Sequence, residues 1–134
     1  MKIKSFIVLS TLLSIFTRWC VADWSNHRGG SELQGISAEK LGDKLVLEWT
    51  FEAGKFLKSS PVVSNGKIFL GGPTGIFYAL DSKTGLVVWK KETGLGVDAP
   101  ALVHNGKVYI GTKDGWLFCL DAESGKQNWA YETM

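Results

Sequence analysis

The sequence predicts an all-β fold: two four-stranded antiparallel propeller blades, preceded by one extra strand, forming part of a larger β-propeller. Three observations carry this. The chain repeats itself at an offset of 40 residues, each repeat reads as four short strands separated by turn signals, and each ends on a tryptophan strand. A fixed period of about 40 residues marks an architecture whose units bury their core against neighbouring copies.

The repeat lays Val62–Thr93 over Leu102–Thr133. Identical pairs include Asn65/Asn105, Gly66/Gly106, Lys67/Lys107, Leu80/Leu120, Asp81/Asp121, Gly85/Gly125, Trp89/Trp129 and Thr93/Thr133. Apolar positions swap conservatively, as in Ile68/Val108 and Phe69/Tyr109. Near Pro61 and Pro100 the offset changes by one residue. Upstream, Trp49 and Glu52 lie 40 residues before Trp89 and Glu92, so the tail of a third copy opens the repeats.

The first 22 residues read as an export signal. Lys2 and Lys4 make a basic start, Phe6 to Phe16 is apolar, and Cys20-Val21-Ala22 ends on small residues that a signal peptidase reads. The apolar run is short for a membrane span. Lipidation of Cys20 is the alternative, against which the bulky Arg18 and Trp19 count. Without Lys2, Lys4 and Arg18, 12 basic face 13 acidic side chains, so the whole-chain charge of +2 comes from the signal. That balance argues against a phosphate-binding surface and a nucleic-acid partner. Past the signal one cysteine remains, Cys119, in an apolar run; no disulfide framework follows from it.

Residues 23–44 form a polar leader with a possible helical turn near Ser37-Ala38-Glu39-Lys40. In residues 45–56, Leu45, Leu47, Trp49 and Phe51 share one parity and Glu48, Thr50 and Glu52 the other, the period of a half-buried strand. Blade 1 occupies residues 57–96 and blade 2 residues 97–134. The first strands are expected at Ser60–Ser64 and Ala99–His104. Asn65-Gly66 and Asn105-Gly106 follow, a dipeptide suited to type I′ hairpins. The second strands span Lys67–Gly71 and Lys107–Gly111, the third Ile76–Leu80 and Trp116–Leu120. The continuous apolar character of these runs suits sheets covered on both faces. The fourth strands, Leu86–Thr93 and Lys126–Thr133, suit an outer edge because the first carries Lys90, Lys91 and Glu92.

The segment Ala79-Leu80-Asp81-Ser82-Lys83-Thr84-Gly85-Leu86-Val87-Val88-Trp89 resembles the tryptophan-docking motif of pyrroloquinoline-quinone-like (PQQ-like) propeller repeats. The second copy keeps Asp121, Gly125 and Trp129, with Ser124 for Thr84 and Cys119 for Ala79. The resemblance covers Leu45 to Thr133, and the leader's Asp23-Trp24 and Arg28-Gly29 are similar to the start of many exported members. It implies a ring of 7–8 blades, of which this chain carries two plus a closing strand, so that further blades belong to a longer chain. Independently of the family, a small residue at Ala79 would leave room for an indole from the next blade. Asp81 and Thr84 would fix the turn, and Trp49, Trp89 and Trp129 would wedge between blades.

Candidate chemistry is sparse. Gly94-Leu95-Gly96-Val97-Asp98-Ala99 imitates a dinucleotide fingerprint, but Pro100 and a strand follow where a helix is required. Asp81, Asp121, Glu92 and Glu132 recur with the repeat, which suits turn and edge roles rather than a catalytic pair. His27-Arg28-Gly29-Gly30 reads as solvated leader and His104 as a surface side chain. The resemblance places ligands at the central channel, near Lys58, Ser59, Ser60 and Asp98, which lie in loops that differ between the copies. The cysteine pair, calcium-binding acidic set and catalytic Asp of the family's quinone-dependent dehydrogenases cannot be placed here. The expectation is therefore an exported, non-catalytic scaffold similar to the BamB-like assembly factors, with protein partners, outer-membrane assembly components among them, and no cofactor in this chain. The alternative is the N-terminal part of a quinone-dependent alcohol or sugar dehydrogenase, with PQQ and calcium bound elsewhere.

Overall fold

A computed structural model describes residues 23–30, 32–37, 40, 42–54 and 56–133. The expected signal segment and Cys20 lie outside the described residues, as do Ala38 and Glu39 of the expected helical turn. The described residues form eight strands and no helix. Strands β1 (Val62–Ser64), β2 (Lys67–Gly71), β3 (Ile76–Asp81) and β4 (Val87–Glu92) make the first sheet. Strands β5 (Leu102–His104), β6 (Lys107–Gly111), β7 (Trp116–Asp121) and β8 (Gln127–Glu132) make the second. Each sheet is an antiparallel meander in sequence order.

Local chemistry explains the meander. Asn65 and Gly66 take φ of 49° and 72°, and Asn105 and Gly106 take 48° and 69°. Left-handed geometry at both central residues turns the chain with the twist of the flanking strands. The first strands are shorter than expected, beginning at Val62 and Leu102 rather than at Ser60 and Ala99.

Both sheets carry the same irregularity before the fourth strand. Ala79 pairs with Trp89 but Leu80 pairs with Val87, leaving Val88 as an extra residue; Cys119, Trp129, Leu120 and Gln127 repeat the pattern. Such a bulge bends the strand and re-aims the adjacent side chain, here the indole.

The sheets share one core. Val62, Phe69, Phe77, Ala79 and Trp89 on one face of blade 1 pack with Val97, Ala101, Val103, Val108, Ile110, Leu120 and Ala122 of blade 2. Trp89 lies between Phe69 and Phe77, with centroids 5.9 and 6.0 Å away. Strands β1 and β5 lie side by side, and β4 and β8 form the opposite edges. The leader crosses the inner strands: Trp24 exchanges backbone hydrogen bonds with Val63 at 2.7 and 2.9 Å, and Val103 N donates to Ser25 O at 2.7 Å.

Residues 45–52, within the closing strand expected at 45–56, enter no ladder among the described residues. Leu45, Val46 and Leu47 are exposed. The period-two pattern is present, but no described strand lies alongside to accept its hydrogen bonds. Only its second half is anchored, through Trp49 and through Phe51, whose ring meets Tyr78 edge-on at 5.1 Å.

Candidate functional site

The repeated motif builds a receptor for an indole. Asp81 Oδ1 accepts hydrogen bonds from Lys83 N at 3.0 Å, Thr84 N at 2.8 Å and Thr84 Oγ1 at 2.8 Å. Asp121 Oδ1 does the same with Glu123 N at 3.2 Å, Ser124 N at 2.8 Å and Ser124 Oγ at 2.7 Å. The Thr84 hydroxyl first, and then its backbone N–H, hold the Asp81 carboxyl below the usual carboxylate range; Ser124 does this for Asp121. The turn closes on glycine, with Gly85 N and Gly125 N donating to Asp81 O and Asp121 O at 2.9 Å each.

An indole lies against each glycine. A Cβ on Gly85 would come within 2.5 Å of the Trp49 ring, and one on Gly125 within 2.6 Å of the Trp89 ring. Both glycines also sit at φ +70°, where other residues are strained. The indole N–H then donates to the second residue of the turn, from Trp49 Nε1 to Ser82 O at 3.2 Å and from Trp89 Nε1 to Ala122 O at 3.0 Å. A bulky ring is thereby buried with its one polar atom satisfied.

One expectation is corrected in detail. Ala79 does not admit an indole from the next blade; it pairs directly with Trp89 of its own sheet, as Cys119 pairs with Trp129. The indole received by each turn comes from the preceding segment. The Trp129 ring packs on Tyr109 at 6.1 Å and is 42% exposed, against 8% for Trp89.

The loop residues that differ between the copies gather in one place. Ser59 is buried, and its hydroxyl donates to Ala99 O at 3.1 Å, joining the two inter-blade loops. Ser60 is exposed beside it. Asp98 Oδ2 forms ion pairs with Lys113 Nζ at 3.0 Å and with Lys58 Nζ at 3.9 Å. Asp98, Ala99, Gly111, Thr112 and Lys113 line an open depression of about 290 Å³. Sequence reasoning missed Lys113, because its part depends on a loop meeting Asp98 across the blade. It also missed the clasp of Trp24 and Ser25, since isolated bridges have no periodicity. With two ammonium groups on Asp98, this donor set does not fit a calcium ion. Among the described residues no group of three or more His, Cys, Asp or Glu side chains could hold a metal. His104 is exposed, and Cys119 is a buried free thiol.

Two meander sheets, fanned from β1 and β5 and joined by a docked indole, define part of a β-propeller of PQQ-like repeats. A family model described as "Outer membrane protein assembly factor BamB" matches residues 42–134, and the chain belongs to that family. Among curated proteins, it is 42% identical over 74 residues to a Pseudomonas lupanine 17-hydroxylase [cytochrome c], a match covering 50% of this chain and 11% of that protein. It is 31% identical over 61 residues to quinohemoprotein alcohol dehydrogenase ADH-IIG of Pseudomonas putida, covering 44% and 8%. The crystal structure of BamB from Moraxella catarrhalis aligns with a TM-score of 0.59 and 31% identity over 64% of this chain and 27% of that one. Quinohemoprotein alcohol dehydrogenase from Comamonas testosteroni aligns with a TM-score of 0.72 at 24% identity over 83% and 19%, a likeness of fold. The matched stretch is thus about a tenth of the curated relatives and about a quarter or less of these structures.

Proposed function

We propose that the chain is part of an exported, non-catalytic propeller that binds other proteins as a scaffold, in the manner of BamB-like assembly factors, with outer-membrane assembly components as the partner class. One observation carries this reading. The inter-blade loops present exposed Phe56, Leu57 and Leu95 near the charged cluster of Lys58, Asp98 and Lys113. Exposed apolar side chains rimmed by charge are the composition of a protein contact surface. The carboxylates of Asp81 and Asp121, by contrast, are engaged inside their own turns. No resident cofactor is assigned to this chain. Among the described residues no helix is long and apolar enough to cross a membrane.

The similarity to quinohemoprotein alcohol dehydrogenase ADH-IIG favours a second reading, the N-terminal part of a quinone-dependent dehydrogenase whose PQQ and calcium sites lie in other blades. The test takes the full natural protein through titration with PQQ and calcium, and measures dye-linked oxidation of alcohols and sugars. The scaffold reading expects no quinone absorbance on the protein, no turnover, and partner crosslinks at Phe56 and Lys58. Stoichiometric quinone with turnover would replace it by the second reading.

A further inference from the structure

The two copies of the repeat differ in the character of their outer edges. Leu86-Val87-Val88 leads into β4, where the second copy has Lys126-Gln127-Asn128 leading into β8. Leu86, Val87 and Val88 are 69%, 45% and 46% exposed. The bulge explains why two consecutive valines are both exposed. Val88 is the extra residue, and it breaks the alternation that would turn one of the pair into the core.

This rim is bounded on both sides by the chain's own residues. Blade 2 packs on one face of the first sheet, where Trp89 and Lys91 reach it. On the other face the Phe51 ring meets Tyr78. Between them β4 is the last strand of its sheet, and no described strand pairs with its outer side.

An edge strand presents a row of backbone N–H and C=O groups, which proteins commonly blunt with charge. Lys126 and its polar neighbours do so for β8, whereas β4 begins on aliphatic side chains. Farther along β4, Lys90 is exposed, Lys91 lies over the Phe118 ring at 5.8 Å, and Glu92 ends the strand. A second copy of the chain does not suit this edge. Antiparallel pairing over all of β4 sets Val87 opposite Glu92 and Val88 opposite Lys91, aliphatic against charge. Parallel pairing in register sets each lysine beside its equivalent.

We propose that the outer edge of β4 takes up an extended strand of another protein, aliphatic beside Leu86, Val87 and Val88 and carboxylate-bearing beside Lys90. Backbone bonds to the edge would supply affinity, and the cross-strand side-chain pairs would select the partner. This edge is a different surface from the inter-blade loops of Phe56 and Leu95, and the proposal stands whether the propeller is a scaffold or part of a dehydrogenase.

The test uses two short labelled peptides, one alternating valine with glutamate and one alternating valine with lysine, followed by fluorescence anisotropy on the full chain. The glutamate peptide should bind about tenfold more tightly, the scale for opposite rather than like charges in cross-strand pairs. Lys90→Glu should reverse that preference. Leu86→Lys/Val87→Gln/Val88→Asn gives β4 the residues that β8 carries in the same fold, so it should keep its thermal midpoint and lose binding. Phe56→Ser should leave the affinity unchanged. Amide hydrogen exchange along β4 should slow when the glutamate peptide is bound, and exchange along β8 should not. Equal binding of the two peptides, binding of neither, retention in the triple variant, or unchanged exchange along β4 overturns the proposal. So does a dimer in sedimentation velocity that the triple variant abolishes, which would assign the edge to a second copy. Lys90→Glu does not alter the aliphatic stretch, so a folding defect in the triple variant leaves the proposal open to refutation.

Discussion

Trp89 of the first blade donates its indole N–H to the carbonyl of Ala122 in the second, 33 residues on, at 3.0 Å. Trp49 makes the same bond to Ser82 over the same separation. A single side chain thus repeats the join between consecutive segments, satisfying its polar atom while its ring fills the core.

Removing that ring should cost most where it is covered. Trp89→Ala is expected to destabilise the chain by about 3–5 kcal/mol, the range for a buried aromatic. Trp129→Ala should cost about 1 kcal/mol, because exposed surface contributes in proportion to the area removed from water. Urea titrations of both variants followed by far-UV circular dichroism check the difference.

Gly125→Ala should destabilise by at least about 1–2 kcal/mol, from positive φ alone. The Cβ would also press on Trp89. Gly106→Ala is the control: its φ of +69° is similar, yet nothing lies within 4 Å of the added atom. Gly125→Ala should therefore lower the thermal midpoint more than Gly106→Ala, with red-shifted tryptophan emission if Trp89 is displaced.

The docking turns make stability depend on acid. Asp81 and Asp121 bind a proton less readily in the folded chain than a free carboxylate of pKa 3.8. Their contribution is therefore complete above that value and is lost as the pH falls through their lowered folded values. Thermal midpoints of the parent should decline below about pH 4. Those of Asp81→Asn/Asp121→Asn should start lower and decline less.

The ion pairs on Asp98 should matter little to folding. Lys58 and Lys113 are more than 45% exposed, and such pairs contribute about 0–1 kcal/mol. Asp98→Asn should leave the urea midpoint nearly unchanged. Ser59→Ala should lower the unfolding free energy from the same titration by about 1 kcal/mol, because its buried hydroxyl joins the two inter-blade loops.

The leader should act as a clasp across the inner strands. A chain lacking residues 23–35 loses the backbone bonds exchanged between Trp24 and Val63 and the one that Val103 N donates to Ser25 O. Faster hydrogen exchange at Val63 and Val103, with little change at Leu80 and Leu120, is the expected signature.

Much of this molecule was legible in the chain itself. The offset of 40 residues, the Asn-Gly hairpins, and the spacing from Asp81 and Asp121 to Gly85, Gly125 and the tryptophans are local chemistry written twice, and backbone sterics and turn hydrogen bonds read them without distant help. Tertiary structure decided the rest. Which turn receives which indole, that Ala79 faces its own blade's Trp89, and that Lys113 reaches Asp98 all depend on how two sheets face each other. The fate of residues 45–52 was decided the same way, since alternating apolar residues mark a strand only when another backbone lies alongside to complete its ladder.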